Sequence, residues 1–575
     1  MGAFRTEWDT EANPRYDVWT TTNGGEILPG VLTPFTATMY NVLDSRSLTD
    51  LMKPYATGKR VKVFRPPVGN FFGITAGRLT LNVGLSVAAM SCIDPDIAAA
   101  TAGQFFQGSD DALRYLITAP ADEVTATMVV ATAQRDAAER DSRRLQEDLY
   151  AERMGPEAAL DRALPLRAAW RRFHDLIPSI IETLNRHYVV STAAGEMSVR
   201  LAGVIAAGGG DPNTIVGLCS GLGNVESSKP ALRLYELALV ARRYASVRKL
   251  IERGDTPAVL AALAEPPDKG WMAFADEFDE FIHRYGFRVQ GEADPMVVDW
   301  GENPTFVVSQ VRSMMALKPA ESPGAHQKAA AAGRVKLEKA VRASLSAEFH
   351  PAFDSALREA QRFTAMRELT KAVWVLNTRR LRPPLLAVAA GLVASKQLKT
   401  ADEMVYVTYA EVESLVKGKP VEGLAALITA RKKQRKQAED YTLPDAWVGS
   451  VVPTKRAKVV ATKSLSGLGV SAGTATGRAR IILNTEAAFE REIDPGDILV
   501  APFTDTPWTP LFIPAAAVVV ETGGMLSHAA TVAREFGIPC VVLVHDATRI
   551  IGEGDTVKVD GAAGTVSIIS RAATT

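Results

Sequence analysis

One stretch constrains this chain more than any other: Val518–Val544, VVVETGGMLSHAATVAREFGIPCVVLV. The valine run ending at Glu521-Thr522 reads as a buried strand. Gly523 and Gly524 permit a turn that residues with a Cβ resist. Ser527 suits an N-cap, which puts His528 in the first turn of a helix over Ala529–Phe536. Gly537 stops that helix, Pro539 prevents its resumption, and Cys540–Val544 supplies a second strand. Further β-branched runs at Ala479–Leu483, Asp497–Val500, Ala517–Val520 and Thr556–Val559 surround this unit. They predict a compact α/β domain over 465–575.

The placement of His528 has chemical meaning. Free backbone N–H groups and the positive end of a helix dipole face whatever is attached to the ring, and phosphate is what such a site favours. A neutral imidazole is nucleophilic, and the glycine pair keeps side chains away from an approaching donor or acceptor. Thr522, Gly523, Gly524 and Ser527 therefore read as the loop of a phosphohistidine.

The remaining 464 residues read differently. From 1 to about 110, Gly, Pro and aromatics mix with short apolar runs such as Val61–Phe64 and Leu79–Val83, so strands and loops are expected there. Helical spacing dominates from about 110 to 415, with long segments at Asp122–Met154, Ala231–Arg253 and Val335–Arg379. The stretch 416–464 contains ARKKQRK (430–436), Pro444 and Pro453, and reads as a linker or hinge. The expected architecture is multidomain α+β: an acceptor-binding domain over 1–415, mixed at first and then mostly helical, the linker, and the α/β domain. About 150 residues per domain allows three or four domains in 575 residues.

Charge narrows the partners. Lys plus Arg and Asp plus Glu are 65 each, so nothing global draws the chain to nucleic acid or an anionic membrane. Cys92, Cys219 and Cys540 have no metal-ligand spacing and are too few for a disulfide framework. With no apolar signal core at the N-terminus and no uninterrupted apolar run of about 20 residues, a cytoplasmic protein without a bound metal is expected.

The string TGGxxSHxAxxARExGIPxVV resembles the phosphohistidine domain of the phosphoenolpyruvate-utilising enzymes. The resemblance extends through Gly469–Gly473, Thr476–Arg480, Pro495–Val500, Thr504–Pro510 (TDTPWTP), Gly552–Asp555 and Asp560–Gly564. It implies a swivelling domain whose histidine, here His528, carries a phosphoryl group between two distant sites. Trp19–Ala37, Gly77–Leu79 with Asn82, Gly221–Glu226 and His283–Asp294 are similar to the substrate domain of rifampin (rifampicin) phosphotransferase and its relatives. On that reading Arg288, Gln290, Glu292 and Asp294, in a Gly-punctuated loop, are candidates to bind the acceptor, with Trp19 and Phe35 as apolar walls; Phe71 and Phe72 are further candidates. Arg367 and Lys371, four apart on one helical face, are candidates to stabilise the transferring phosphoryl group.

Members of the family that spend ATP carry an ATP-grasp domain, and these 575 residues contain neither that pattern nor a Walker motif. The arrangement resembles the two-subunit aryl-phosphate synthases, such as phenylphosphate synthase and 4-methylbenzyl phosphate synthase. It implies a dikinase-type reaction in which a separate ATP-grasp subunit binds Mg-ATP and the acceptor is a phenol- or cresol-like hydroxyl compound. The products would be AMP, phosphate and an aryl phosphate, and this chain would bind no cofactor firmly. The alternatives are a split rifampin-type antibiotic phosphotransferase and a phosphocarrier without acceptor chemistry of its own.

Overall fold

The computed structural model describes residues 4–11, 15–22, 24–52, 71–91, 94–96, 98–99, 102, 109–116, 121–153, 156–457, 462–485 and 493–572. The expected strand Val61–Phe64 and Cys92 lie outside these residues. The chain forms two compact units. The first comprises Met1–Val199, Ala293–Val297 and Leu369–Ala457; the second comprises Arg200–Glu292, Val298–Glu368 and Lys458–Thr575.

In the first unit, strands β1 (Val18–Thr20), β2 (Phe72–Thr75), β3 (Arg78–Asn82) and β5 (Ala446–Val448) form an antiparallel sheet in the order β2-β3-β1-β5. The β2–β3 hairpin turns through Ala76 and Gly77, whose φ values of 48° and 74° are the positive pair a two-residue turn needs. Asp9 holds that turn by accepting from the Ala76 and Gly77 amides at 2.9 and 2.7 Å.

β5 lies within the stretch expected to be a linker. The residues from 416 to 457 also hold a helix, Leu424–Ala438, and two short strands, β4 (Tyr441–Thr442) and β6 (Thr454–Lys455). The run ARKKQRK is helical, so its charges point in different directions. Lys432 and Lys433 are exposed, whereas Arg431 turns inward and is buried against Glu7 and Glu411 at 2.6 and 2.7 Å. Composition alone misses this, because one inward arginine in a basic run looks like its solvated neighbours.

The longest helix, Leu166–Ala207, begins in the first unit and ends in the second. By length and composition it could cross a bilayer, but half of its most apolar window is buried inside the protein. Trp170, Phe173, Leu176, Ile177, Ile180 and Leu184 recur at helical spacing and are buried, so it serves as a core helix.

Two expected helices prove to be broken. The segment 231–253 divides into Lys229–Arg243 and Ala245–Glu252, because Tyr244 is extended at φ −106°, ψ 117°. The segment 335–379 divides at Leu345 (φ −85°, ψ 148°) into Pro323–Ser344 and His350–Arg379. The apolar spacing continues across both breaks and hides them.

The second unit contains an eight-stranded sheet in the order β7-β14-β13-β9-β10-β11-β12-β8. Its strands are β7 (Ser464–Ser466), β8 (Leu468–Ser471), β9 (Thr474–Ile481), β10 (Ile498–Ala501), β11 (Ala517–Val520), β12 (Cys540–Val542), β13 (Thr556–Asp560) and β14 (Thr565–Ser570). β9, β10, β11 and β12 are parallel neighbours. Side chains alternate across a strand, and the two inner strands are buried on both faces. Ile498, Val500, Ala517 and Val519 enter one core with Val557 and Val566. Leu499, Ala501, Val518 and Val520 enter the other, with Phe536, Trp271, Phe281 and Phe306. The 465–575 domain and the helices of 229–316 thus share a hydrophobic core.

Candidate functional site

The two inner parallel strands aim two loops at the same place. Ligands of open α/β sheets collect outside the carboxyl ends of the strands, and both loops leave from such ends. After β10 comes 502–509, with Thr504 and Thr509. After β11 comes 521–527, leading to His528.

The second loop is built as its glycines suggest. Gly523 has φ +130°, where a side chain is strained. The Thr522 hydroxyl donates to the Pro502 carbonyl at 3.1 Å and so ties the two loops together. The Ser527 amide donates to the Gly524 carbonyl at 3.0 Å, closing the turn. Ser527 is the N-cap (φ −64°, ψ 161°), its hydroxyl accepting from the Ala530 amide. The helix is His528–Phe536, so His528 is its first residue, one earlier than the sequence suggests.

The imidazole is 2% exposed. Nδ1 lies 3.1 Å from the Thr504 hydroxyl and Nε2 lies 3.1 Å from the Thr509 hydroxyl. Phe512 stands edge-on to the ring, centroids 5.9 Å apart. Thr509 also donates to the Ser227 carbonyl at 3.0 Å. A hydroxyl has one hydrogen. With Thr509's on Ser227, the Thr509 oxygen is left to accept from Nε2–H, while Nδ1 faces the Thr504 hydroxyl. The ring is thereby held in one orientation, with a hydroxyl at each nitrogen.

Other candidates are placed as follows. Arg288 and Glu292 form a buried ion pair, 1% and 3% exposed, with Nη1 at 3.0 and 2.9 Å from the two carboxylate oxygens. Arg288 also stacks over the Phe287 ring. Gln290 accepts from the Thr485 amide at 2.8 Å. Asp294 belongs to the first unit, where it accepts from the Thr36 hydroxyl and the Met296 amide, both at 2.8 Å. Burial raises its pKa above the usual carboxylate range.

Trp19 is buried in β1, its ring against Gly73, and Phe35 is fully buried. Phe71 and Phe72 pack around Tyr188. Phe72 is buried as well, and Phe71 is half-buried.

Arg367 and Lys371 share the helix His350–Arg379 and are both partly buried. Arg367 pairs with the buried Glu368 at 3.2 Å. It also lies close enough to Arg534, on the His528–Phe536 helix, to add to the effect of burial, which pushes that guanidinium down to about 10. Lys371 falls in the first unit. Among the described residues no group of His, Cys, Asp and Glu is placed to hold a metal ion.

Sequence reasoning missed the roles of Thr504, Thr509 and Ser227. The string TDTPWTP marked the loop, but nothing in it tells which hydroxyls meet a ring about 20 residues further on.

Residues 493–564 match the model of the PEP-utilising enzyme mobile domain, and 187–368 match that of the rifampicin phosphotransferase fourth domain. Over these two segments the chain is similar to members of the PEP-utilising enzyme family. It is 29% identical to a rifampicin phosphotransferase of Bacillus cereus and 31% identical to one of Streptomyces sp, in each case over 60% of this chain and 40% of the relative. It is also 30% identical to the prodigiosin synthesizing transferase of Serratia marcescens, over 60% of this chain and 39% of that one. The chain spans about two fifths of the length of these curated relatives.

Proposed function

We propose that His528 is a phosphoryl carrier and that the chain is the acceptor-side component of a phosphotransferase. The observation that carries this reading is the His528 site. A buried imidazole is the first residue of a capped helix, at the carboxyl edge of parallel strands, with hydroxyls on both ring nitrogens. Free N–H groups of the first turn are ready-made ligands for a phosphoryl group.

The acceptor is a small aromatic hydroxyl compound of the phenol or cresol type, and the reaction is of the dikinase kind, yielding AMP, phosphate and aryl phosphate. The donor site for Mg-ATP lies outside these 575 residues, on an ATP-grasp subunit. Arg367 and Lys371 stabilise the phosphoryl group during delivery. Arg367 lies near the His528 helix, and Lys371 has no ion pair among the described residues. A small-molecule acceptor leaves the chain no need for nucleic acid or membrane, and a cytoplasmic setting suits ATP as donor.

The names of the relatives favour a second reading, in which the acceptor is a macrocyclic antibiotic. Incubating the chain with an ATP-grasp partner, Mg-ATP and either phenols or rifampicin separates the two. Aryl phosphate supports the first reading. Phosphorylated rifampicin with no aryl phosphate replaces it with the second.

A further inference from the structure

His528 is not the only residue on its helix that faces the helical part of the second unit. Glu535 follows seven positions later, two turns on, and therefore lies on the same helical face. Its carboxylate is 1% exposed. Oε2 accepts from the Leu222 amide at 2.8 Å, and Oε1 accepts from the Gly223 amide at 2.7 Å and the Gln327 side chain at 2.6 Å. All three donors lie in 200–368. The neighbouring Arg534 carbonyl accepts from the Gly221 amide at 3.2 Å.

The receiving side is shaped for this. Gly221 and Gly223 have φ of +56° and +81°, conformations that side chains rarely adopt. Between them they turn consecutive amides towards one anion, as in a backbone nest. A Cβ on Gly221 would come within 2.5 Å of the Ala331 nitrogen. Burial works against the ionised carboxylate and raises its pKa, opposed by the same three donors.

We infer that Glu535 is the clamp that seats the His528 face on the Gly221–Ser227 segment, a positioning residue for the acceptor-side station. The inference rests on His528 being a mobile carrier. Once the domain swings away, Glu535 loses every partner named above and becomes a solvated carboxylate. Its carboxylate thus favours one station of the swing and is released by water at the other.

The test uses the full chain and needs no substrate. Hydrogen exchange of peptides covering 219–225 is compared for the native chain, Glu535→Gln and Gln327→Ala. The glutamine keeps the shape but turns an NH₂ group towards amide donors. Exchange at 219–225 should rise about tenfold or more in Glu535→Gln and several-fold in Gln327→Ala, while β10 and β11 keep their protection. Carbethoxylation of His528 by diethyl pyrocarbonate, read by peptide mass spectrometry, should accelerate in parallel, because Ser227 covers the Thr509 side of the ring.

Unchanged exchange at 219–225 in both variants overturns the clamp. So does faster exchange there with no change in His528 labelling, which makes Glu535 merely structural. If Glu535→Gln loses protection throughout the sheet, Gln327→Ala decides the matter alone, since it alters only the opposite side. A confirmed clamp in a chain whose His528 never takes up phosphate would reject the carrier reading and leave the docking contact standing.

Discussion

The Arg288–Glu292 pair separates a structural role from a ligand role, and its energetics follow from its burial. Glu292→Gln leaves a guanidinium in a site where Arg288 is 1% exposed. Arginine cannot escape by losing its proton. At an N···O distance near 3 Å, the attraction at an effective dielectric of about 20 is roughly 5 kcal/mol. Breaking a buried pair by removing one partner costs about 3–5 kcal/mol, whereas replacing both with apolar residues is often close to neutral. Glu292→Gln and Arg288→Met should therefore each destabilise the second unit by about 3–5 kcal/mol. The double variant Arg288→Met/Glu292→Leu should lie about 2 kcal/mol or less below the native chain, a coupling of several kcal/mol. Urea unfolding followed by the fluorescence of the unit's tryptophans measures all four corners of the cycle. A Glu292→Gln midpoint within error of the native one would mean that the pair does not hold the second unit together. It would show that the carboxylate is available to a ligand, as the sequence reading proposes.

Other outcomes follow from the same geometry. Asp44 is buried beside Phe72, whose amide donates to it at 2.9 Å, and burial pushes its pKa up to about 7. A raised carboxylate adds stability below its unfolded value near 4, and that stability is lost as pH rises through about 7. Asp44→Asn should thus gain on the native chain by a few kcal/mol above about pH 7, the two converging near pH 4; parallel melting curves would rule this out. Lys371→Ala and Arg367→Ala should each raise the barrier to delivery by about 2–4 kcal/mol while His528 is still charged. Equal turnover would make these cations a solvated face. Gly221→Ala should lower the thermal midpoint of the second unit, because its added methyl meets backbone atoms at 2.5 and 2.6 Å and φ is positive; an unchanged midpoint would show that the loop relaxes freely.

Legibility in the sequence tracked how local each signal was. The strand–turn–helix–strand unit around His528 was readable to within a residue or two, because glycine, N-cap and proline each act on their own neighbours. β11 was read with its exact ends, and β10 within one residue, since strands buried on both faces are continuous apolar runs. β7 and β14 were missed. β7 has a single leucine between two serines, and β14 buries only Val566 and Ile568 among polar and exposed positions, so both resemble loop. The break at Tyr244 was invisible because the apolar spacing continues through it. Pairings across hundreds of residues, β1 with β5 or Glu535 with Gly223, leave no local trace. Arg288, Gln290, Glu292 and Asp294 stand out in the sequence as candidates to bind the acceptor, but polarity alone does not say whether the partner is a ligand or another part of the chain.

The carrier role of His528 is tested most directly by mapping phosphate on the intact chain. The chain is incubated with an ATP-grasp partner and Mg-ATP in the absence of acceptor, then digested at alkaline pH, where a phosphoramidate survives, and sequenced by mass spectrometry. A carrier histidine gives a single acid-labile phosphate on His528 that disappears on adding acceptor and never forms in His528→Ala. Product formation by His528→Ala at the native rate, or stoichiometric phosphate on any other residue, would contradict it.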